Sequence, residues 1–181
     1  MLIRNTPDRY GLLTRLLHWL IAVMILFLVW LGWYMVKLDY YNRWYYDSRS
    51  WHESLGMIVL MLALAKIGWQ WYSPLPPVDA RLRVWERTAA TGMHRLLLLL
   101  MLLIPLTGYL TSTSDGKAVE VFAWLHIPAV ISHNTTVRDW AIALHYYLAY
   151  GVFFLALGHA GAAVKHQFMD RDGTLARMLW K

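Results

Sequence analysis

Cysteine is absent from all 181 residues. Its absence excludes disulfides, Cys-ligated iron–sulfur clusters, thiolate-ligated haem and covalent c-type haem attachment. A metal here must be held by imidazole, thioether, carboxylate or carbonyl. Charge is scarce too: 15% of residues are Asp, Glu, Lys or Arg, against 59% apolar. That balance decides for a membrane protein over a soluble one. The chain also lacks internal repeats and low-complexity linkers, and its length suits one domain. The net charge of +6 is, in a membrane chain, an excess of Lys and Arg that fixes orientation. Nucleic-acid binding is set aside on that ground.

Long apolar runs are abundant. Residues 16–36 carry no charge, follow Arg4, Arg9 and Arg15, and end in no small-residue cleavage site, so they read as a retained first span. A loop with Tyr40, Tyr41, Trp44, Tyr45 and Tyr46 fits an aromatic belt at a bilayer surface. The second span ends before Pro74, Pro76 and Pro77, which cannot continue a helical ladder. Near that end lies Lys66, whose stem is long enough to reach the headgroups. The third run contains Pro105 and Gly108, which predict a kink. A longer loop opens on Asp115-Gly116, the last span follows, and the tail from residue 174 suits a short interfacial helix. The expectation is an all-α integral membrane four-helix bundle, one domain over residues 1–181, with spans at about 14–36, 51–72, 89–112 and 138–168. Ten Lys and Arg flank the spans on the terminal side and five on the other, which places both termini in the cytoplasm.

Eight histidines are present, and most of them fall inside these spans. His145 and His159 sit fourteen residues apart in a stretch, 140–164, without a charged residue. Fourteen steps of an α-helix rise about 21 Å and fall roughly 40° short of four turns, so both imidazoles leave one face at two depths. The topology puts His52 and His145 in an outer layer and His18, His94 and His159 in an inner one. His126 and His133 fall in the outer loop. Polar groups inside a bilayer are costly and mark function by default. Any one of these residues alone suits an imidazole hydrogen-bonded to a neighbouring helix. Two layers, each offering a facing pair, favour bis-histidine haem, which takes one neutral nitrogen from each side of the iron. Structural histidines and a proton or metal-ion path are the alternatives.

His166 follows His159 by seven residues, about 10 Å further on and within roughly 20° of the same face. At headgroup depth, beside Lys165 and toward Arg81 and Arg83, it is placed either to protonate a quinone oxygen or to join a basic cluster on lipid phosphate.

Several short motifs then fall in a recognisable order: Leu17-His18-Trp19, Trp51-His52-Glu53-Ser54-Leu55-Gly56, Leu144-His145, Gly158-His159-Ala160 and His166-Gln167-Phe168-Met169-Asp170-Arg171-Asp172. Asn5-Thr6-Pro7-Asp8-Arg9-Tyr10-Gly11 stands at the front. Along nearly its whole length the chain resembles the bacterial cytochrome b561 family of four-helix dihaem membrane cytochromes. The resemblance implies two haem b groups, an inner one on His18 and His159 and an outer one on His52 and His145, and leaves His94 a supporting role. It implies electron exchange with ubiquinone, with His166 and Arg81 as quinone contacts, in the bacterial inner membrane. At least one family member is similar to a superoxide oxidase, so superoxide is a candidate outer partner. The outer side gives that substrate no help by charge count: Lys37, Arg43, Arg49, Lys117 and Arg138 face six acids, where an anion would favour a cationic approach. Other readings are a cytochrome b anchor for a periplasmic dehydrogenase, which needs a partner on the outer loop, and a non-haem proton or metal-ion transporter.

Overall fold

The computed structural model describes residues 2–77, 82–122, 124–131 and 133–179. Four long helices carry the fold: α1 (Leu12–Met35), α2 (Tyr45–Tyr72), α3 (Val84–Thr113) and α4 (Thr135–Phe168), with a short α5 (Thr174–Leu179). All four are long and apolar enough to cross a membrane. Sequential neighbours pack closely, whereas α1 and α4 barely touch, so the helices form a ring with its loosest seam between first and last. Burial follows the membrane rule rather than the soluble one. Large apolar side chains such as Val23, Trp30, Phe154 and Leu157 face outward, while Thr14, Ser48, Ser54, Thr107 and Thr113 are buried. Water would not tolerate so continuous an apolar exterior.

Each helix outruns its expected span, because a helix need not stop where hydrocarbon does. The 34 residues of α4 make a rod of about 51 Å, against roughly 30 Å of hydrocarbon. Its first turn is capped by Asn134, whose side chain accepts from the Val137 N–H at 3.0 Å, as an N-cap asparagine does. The start of α2 lies at Tyr45 rather than near residue 51, inside the aromatic loop.

Two clips tie the terminal-side ends together. The Asn5 N–H donates to Ser73 Oγ at 2.9 Å, its Nδ2 donates to the Ser73 carbonyl at 2.7 Å, and its Oδ1 accepts from the Gly11 N–H at 2.8 Å. Gly11 is required there: a Cβ would lie 2.2 Å from the Ile3 carbonyl oxygen. This gives the Asn5-to-Gly11 motif a structural job, joining the start of α1 to the end of α2. On the same side Trp19 Nε1 donates to the Met178 carbonyl at 3.0 Å, docking α5 on α1.

At the opposite end the long loop folds into an antiparallel hairpin, β1 (Val119–Val121) with β2 (Leu125–Ile127), in which Glu120 pairs with His126. Val119 and Val121 bury against Met57 of α2. Ser54, wholly buried, accepts from the Phe122 N–H at 3.0 Å and donates to the Glu120 carbonyl at 3.3 Å. The Ser54 position of the second motif is thus the hairpin's anchor.

Candidate functional site

His52 on α2 and His145 on α4 meet across the bundle with ring centres 6.0 Å apart. With metal–imidazole bonds of about 2.0 Å and roughly 1.1 Å from ring centre to nitrogen, two imidazoles on opposite sides of one metal have centres about 6 Å apart. Each ring has its own support. His145 Nδ1 lies 2.9 Å from the Ile104 carbonyl and 3.3 Å from Thr107 Oγ1. An N–H donated to that carbonyl leaves the second nitrogen as an acceptor, the state a metal ligand needs. Pro105 contributes by removing the N–H that the Met101 carbonyl would accept, loosening α3 at this depth. His52 Nδ1 is buried without a hydrogen-bond partner, a desolvated polar atom that costs on the order of 1–3 kcal/mol until a donor or metal takes it.

Both rings lie against glycine. A Cβ on Gly108 would stand 3.0 Å from His145 Cε1, and one on Gly32 would stand 3.1 Å from His52 Cε1. Between the rings runs a cavity lined from all four helices by Ile25, Leu28, Val29, Gly56, Val59, Leu100, Met101, Ile104, Pro105, Ala149 and Val152, with the two histidines as its polar members. An apolar slot with imidazoles at its walls suits a flat hydrophobic macrocycle with a metal at its centre.

The inner layer gathers three imidazoles. His18 and His159 have ring centres 6.3 Å apart, across the loose α1–α4 seam. His94 stands closer to His159, at 5.2 Å. The wider pair has the spacing of two ligands on one metal, while the narrower is a direct ring contact. His94 therefore packs on a candidate ligand edge to face.

A family model described as prokaryotic cytochrome b561 matches residues 9–181. The chain is 39% identical over 181 residues to cytochrome b561 homolog 2 of Escherichia coli, covering 100% of this chain and 96% of that one. It is 28% identical to "Probable superoxide oxidase CybB" of Yersinia pestis over 96% of this chain and 97% of that protein. It is 29% identical to cytochrome b562 of Cereibacter sphaeroides over 90% of each. The chain belongs to the prokaryotic cytochrome b561 family. It is accordingly a multi-pass membrane cytochrome of the haem b class that transfers electrons, which sets the transporter reading aside.

In this cytochrome b561 the predicted contact His166 stands beside carboxylates. Its Nδ1 lies 2.6 Å from Asp170 Oδ2 and 3.8 Å from Asp172 Oδ2. Lys165 beside it bridges Glu86 at 2.9 Å and Asp170 at 2.7 Å. Glu86 also accepts from the Arg83 N–H at 3.1 Å, closing the first turn of α3 while holding the end of α4. The Lys165 ammonium donating to Asp170, with His166 adding a second bond, holds that carboxyl below the usual carboxylate range. Among the described residues, carboxylates orient His166. Arg81, the other predicted quinone contact, lies outside the described residues.

The outer face of the cytochrome shows where its cations go. Arg49 pairs with Glu53 at 3.0 Å, and Glu53 also accepts from Ser112 at 2.8 Å. Arg138 pairs with Asp139 at 3.4 Å and with Asp115 at 4.0 Å. Arg43 and Lys37 lie over the rings of Trp44 and Trp33. Arg49 and Arg138, two of the five outer cations, are thus neutralised locally. Sequence reasoning passes over Gly32 and the Ile104 carbonyl, and takes Gly108 only as part of a kink. The two glycines do leave a signal: Gly32 is fourteen residues after His18, and Gly108 fourteen after His94.

Proposed function

We propose that this protein relays single electrons across the bacterial inner membrane, between an outer one-electron partner and the ubiquinone pool, with both termini in the cytoplasm. His52 and His145 would hold one haem b and His18 and His159 a second. The observation that carries this reading is the pair of ring separations, 6.0 and 6.3 Å, at two depths of one helix. Bound haem supplies a one-electron couple that no side chain here has. The Ile104 carbonyl fixes the tautomer of His145, and Gly32 and Gly108 let the two rings lie flush with the helices that back them.

At the cytoplasmic end His166 is the proton-handling group. With Nδ1 donating to Asp170, Nε2 would be the nitrogen left to exchange a proton with a quinone oxygen. Arg81 is retained as a second quinone contact. For the outer partner, superoxide is favoured by the name printed for the Yersinia pestis relative; the locally paired arginines mean that an approaching anion meets little net cationic field.

The test is stopped-flow mixing of oxidised, haem-loaded protein with superoxide, followed by ubiquinone. The haem band is expected to reduce on the first addition and reoxidise on the second. His166→Leu should slow the second step at least tenfold and leave the first unchanged. A haem band that superoxide does not move would overturn the outer assignment, and one that ubiquinone does not reoxidise would overturn the inner.

A further inference from the structure

The fourteen-residue interval that separates His145 from His159 recurs in every long helix. On α1 it joins His18 to Gly32, on α2 His52 to Lys66, and on α3 His94 to Gly108. Each pair shares a face about 21 Å apart in depth, so the bundle has two four-membered layers. The layers differ in charge. The outer layer consists of His52 and His145 backed by Gly32 and Gly108, with no fixed charge. The inner layer contains His18, His159 and His94, and its fourth member is the cation Lys66.

Lys66 is half-buried and within electrostatic range of both His18 and His94. Among the described residues no carboxylate forms an ion pair with it, whereas Lys165 at the same end of the bundle has two. A cation inside a span, with no such pair among the described residues, is costly and marks function by default.

We propose that Lys66 sets the potential of the inner haem above that of the outer one. The inference rests on the two-haem reading. Reducing a haem adds one electron and lowers the charge of its layer by one. A fixed positive charge beside that layer favours the reduced form, and the glycines of the outer layer offer no equivalent. The difference makes transfer from the outer layer to the inner layer, toward the quinone side, the downhill direction. Lys66 acts through the field it imposes and touches no reacting atom.

The test is a spectroelectrochemical titration of the full-length, haem-loaded protein as wild type, Lys66→Met and Lys66→Arg. The inner haem is assigned as the component missing from His18→Ala. Lys66→Met is expected to shift the inner haem at least tenfold toward its oxidised form, a fall of about 59 mV for one electron, with the outer haem unmoved and Lys66→Arg near wild type. An unmoved inner haem, or an equal fall in both, would overturn the proposal. Should Lys66→Met lose haem, Lys66→Gln is titrated in its place. Loss of the inner haem from both neutral variants, with Lys66→Arg retaining it, would make Lys66 a holding residue and also overturn the tuning role. A wild type with fewer than two haems would instead defeat the reading on which the proposal rests.

Discussion

Replacing His52 or His145 with alanine is expected to remove one and the same haem, leaving one per chain, and replacing His18 or His159 is expected to remove the other. The reason is the connectivity of the layers: α4 supplies one imidazole to each, and α2 and α1 supply the partners. On the proposed pairing, losing one histidine would leave one imidazole and an apolar slot, too little to keep a macrocycle that two histidines would hold. His126→Ala, in the exposed hairpin, should leave both haems in place. The measurement is haem content with a low-temperature spectrum of each variant. If His52→Ala and His145→Ala deplete different spectral components, the pairing is wrong, whatever the total.

The second large effect is expected at glycine. Gly108→Val should deplete the outer haem at least tenfold while sparing the inner one, and Gly32→Val should do the same. A Cβ alone at Gly108 stands 3.0 Å from His145 Cε1, tight enough that the ring must shift by a few tenths of an ångström. The two further carbons of valine enter space the ring occupies. Overpacking of this kind costs about 1–3 kcal/mol, and each 1.4 kcal/mol or so is a factor of ten in affinity. Gly108→Ala should keep both haems, since a small movement of His145 relieves it. Gly68 is exposed and outside the cavity between His52 and His145, and a Cβ placed there would meet nothing within 4 Å, so Gly68→Ala serves as the tolerated control. Equal haem loss from Gly108→Val and Gly68→Ala would argue against a specific seat for His145.

Much of this architecture is legible from the chain alone, for physical reasons that hold residue by residue. A bilayer forces apolar runs of fixed length, so the four helices announce themselves. Helical periodicity then converts the spacing of His145 and His159 into one face and two depths. The ends of the helices are less legible, because Tyr45 to Ser50 can be helical in water or headgroups as readily as the lipid-embedded turns that follow. The hairpin escapes a reading of the sequence: strands of three residues are too short to show alternation, and their burial comes from Met57 and Ser54, sixty or so residues earlier. His166 falls at the expected end of the bundle, where its neighbours among the described residues include Asp170. Charge counting points to the arginines of the linker, whereas Asp170 lies one helical turn away on the chain itself. Lys66 suggests a side chain reaching outward because a long one near a helix end usually does. Its position fourteen residues after His52 is a second signal, and it puts Lys66 at the depth of the inner imidazoles.

Haem stoichiometry is the most direct test of the central claim, that two pairs of histidines, stacked across the membrane, each hold an iron. Pyridine haemochrome analysis of the purified, haem-replete protein, set against its protein concentration by amino-acid analysis, should give two b-type haems per chain. A value of one, or none, would contradict the account.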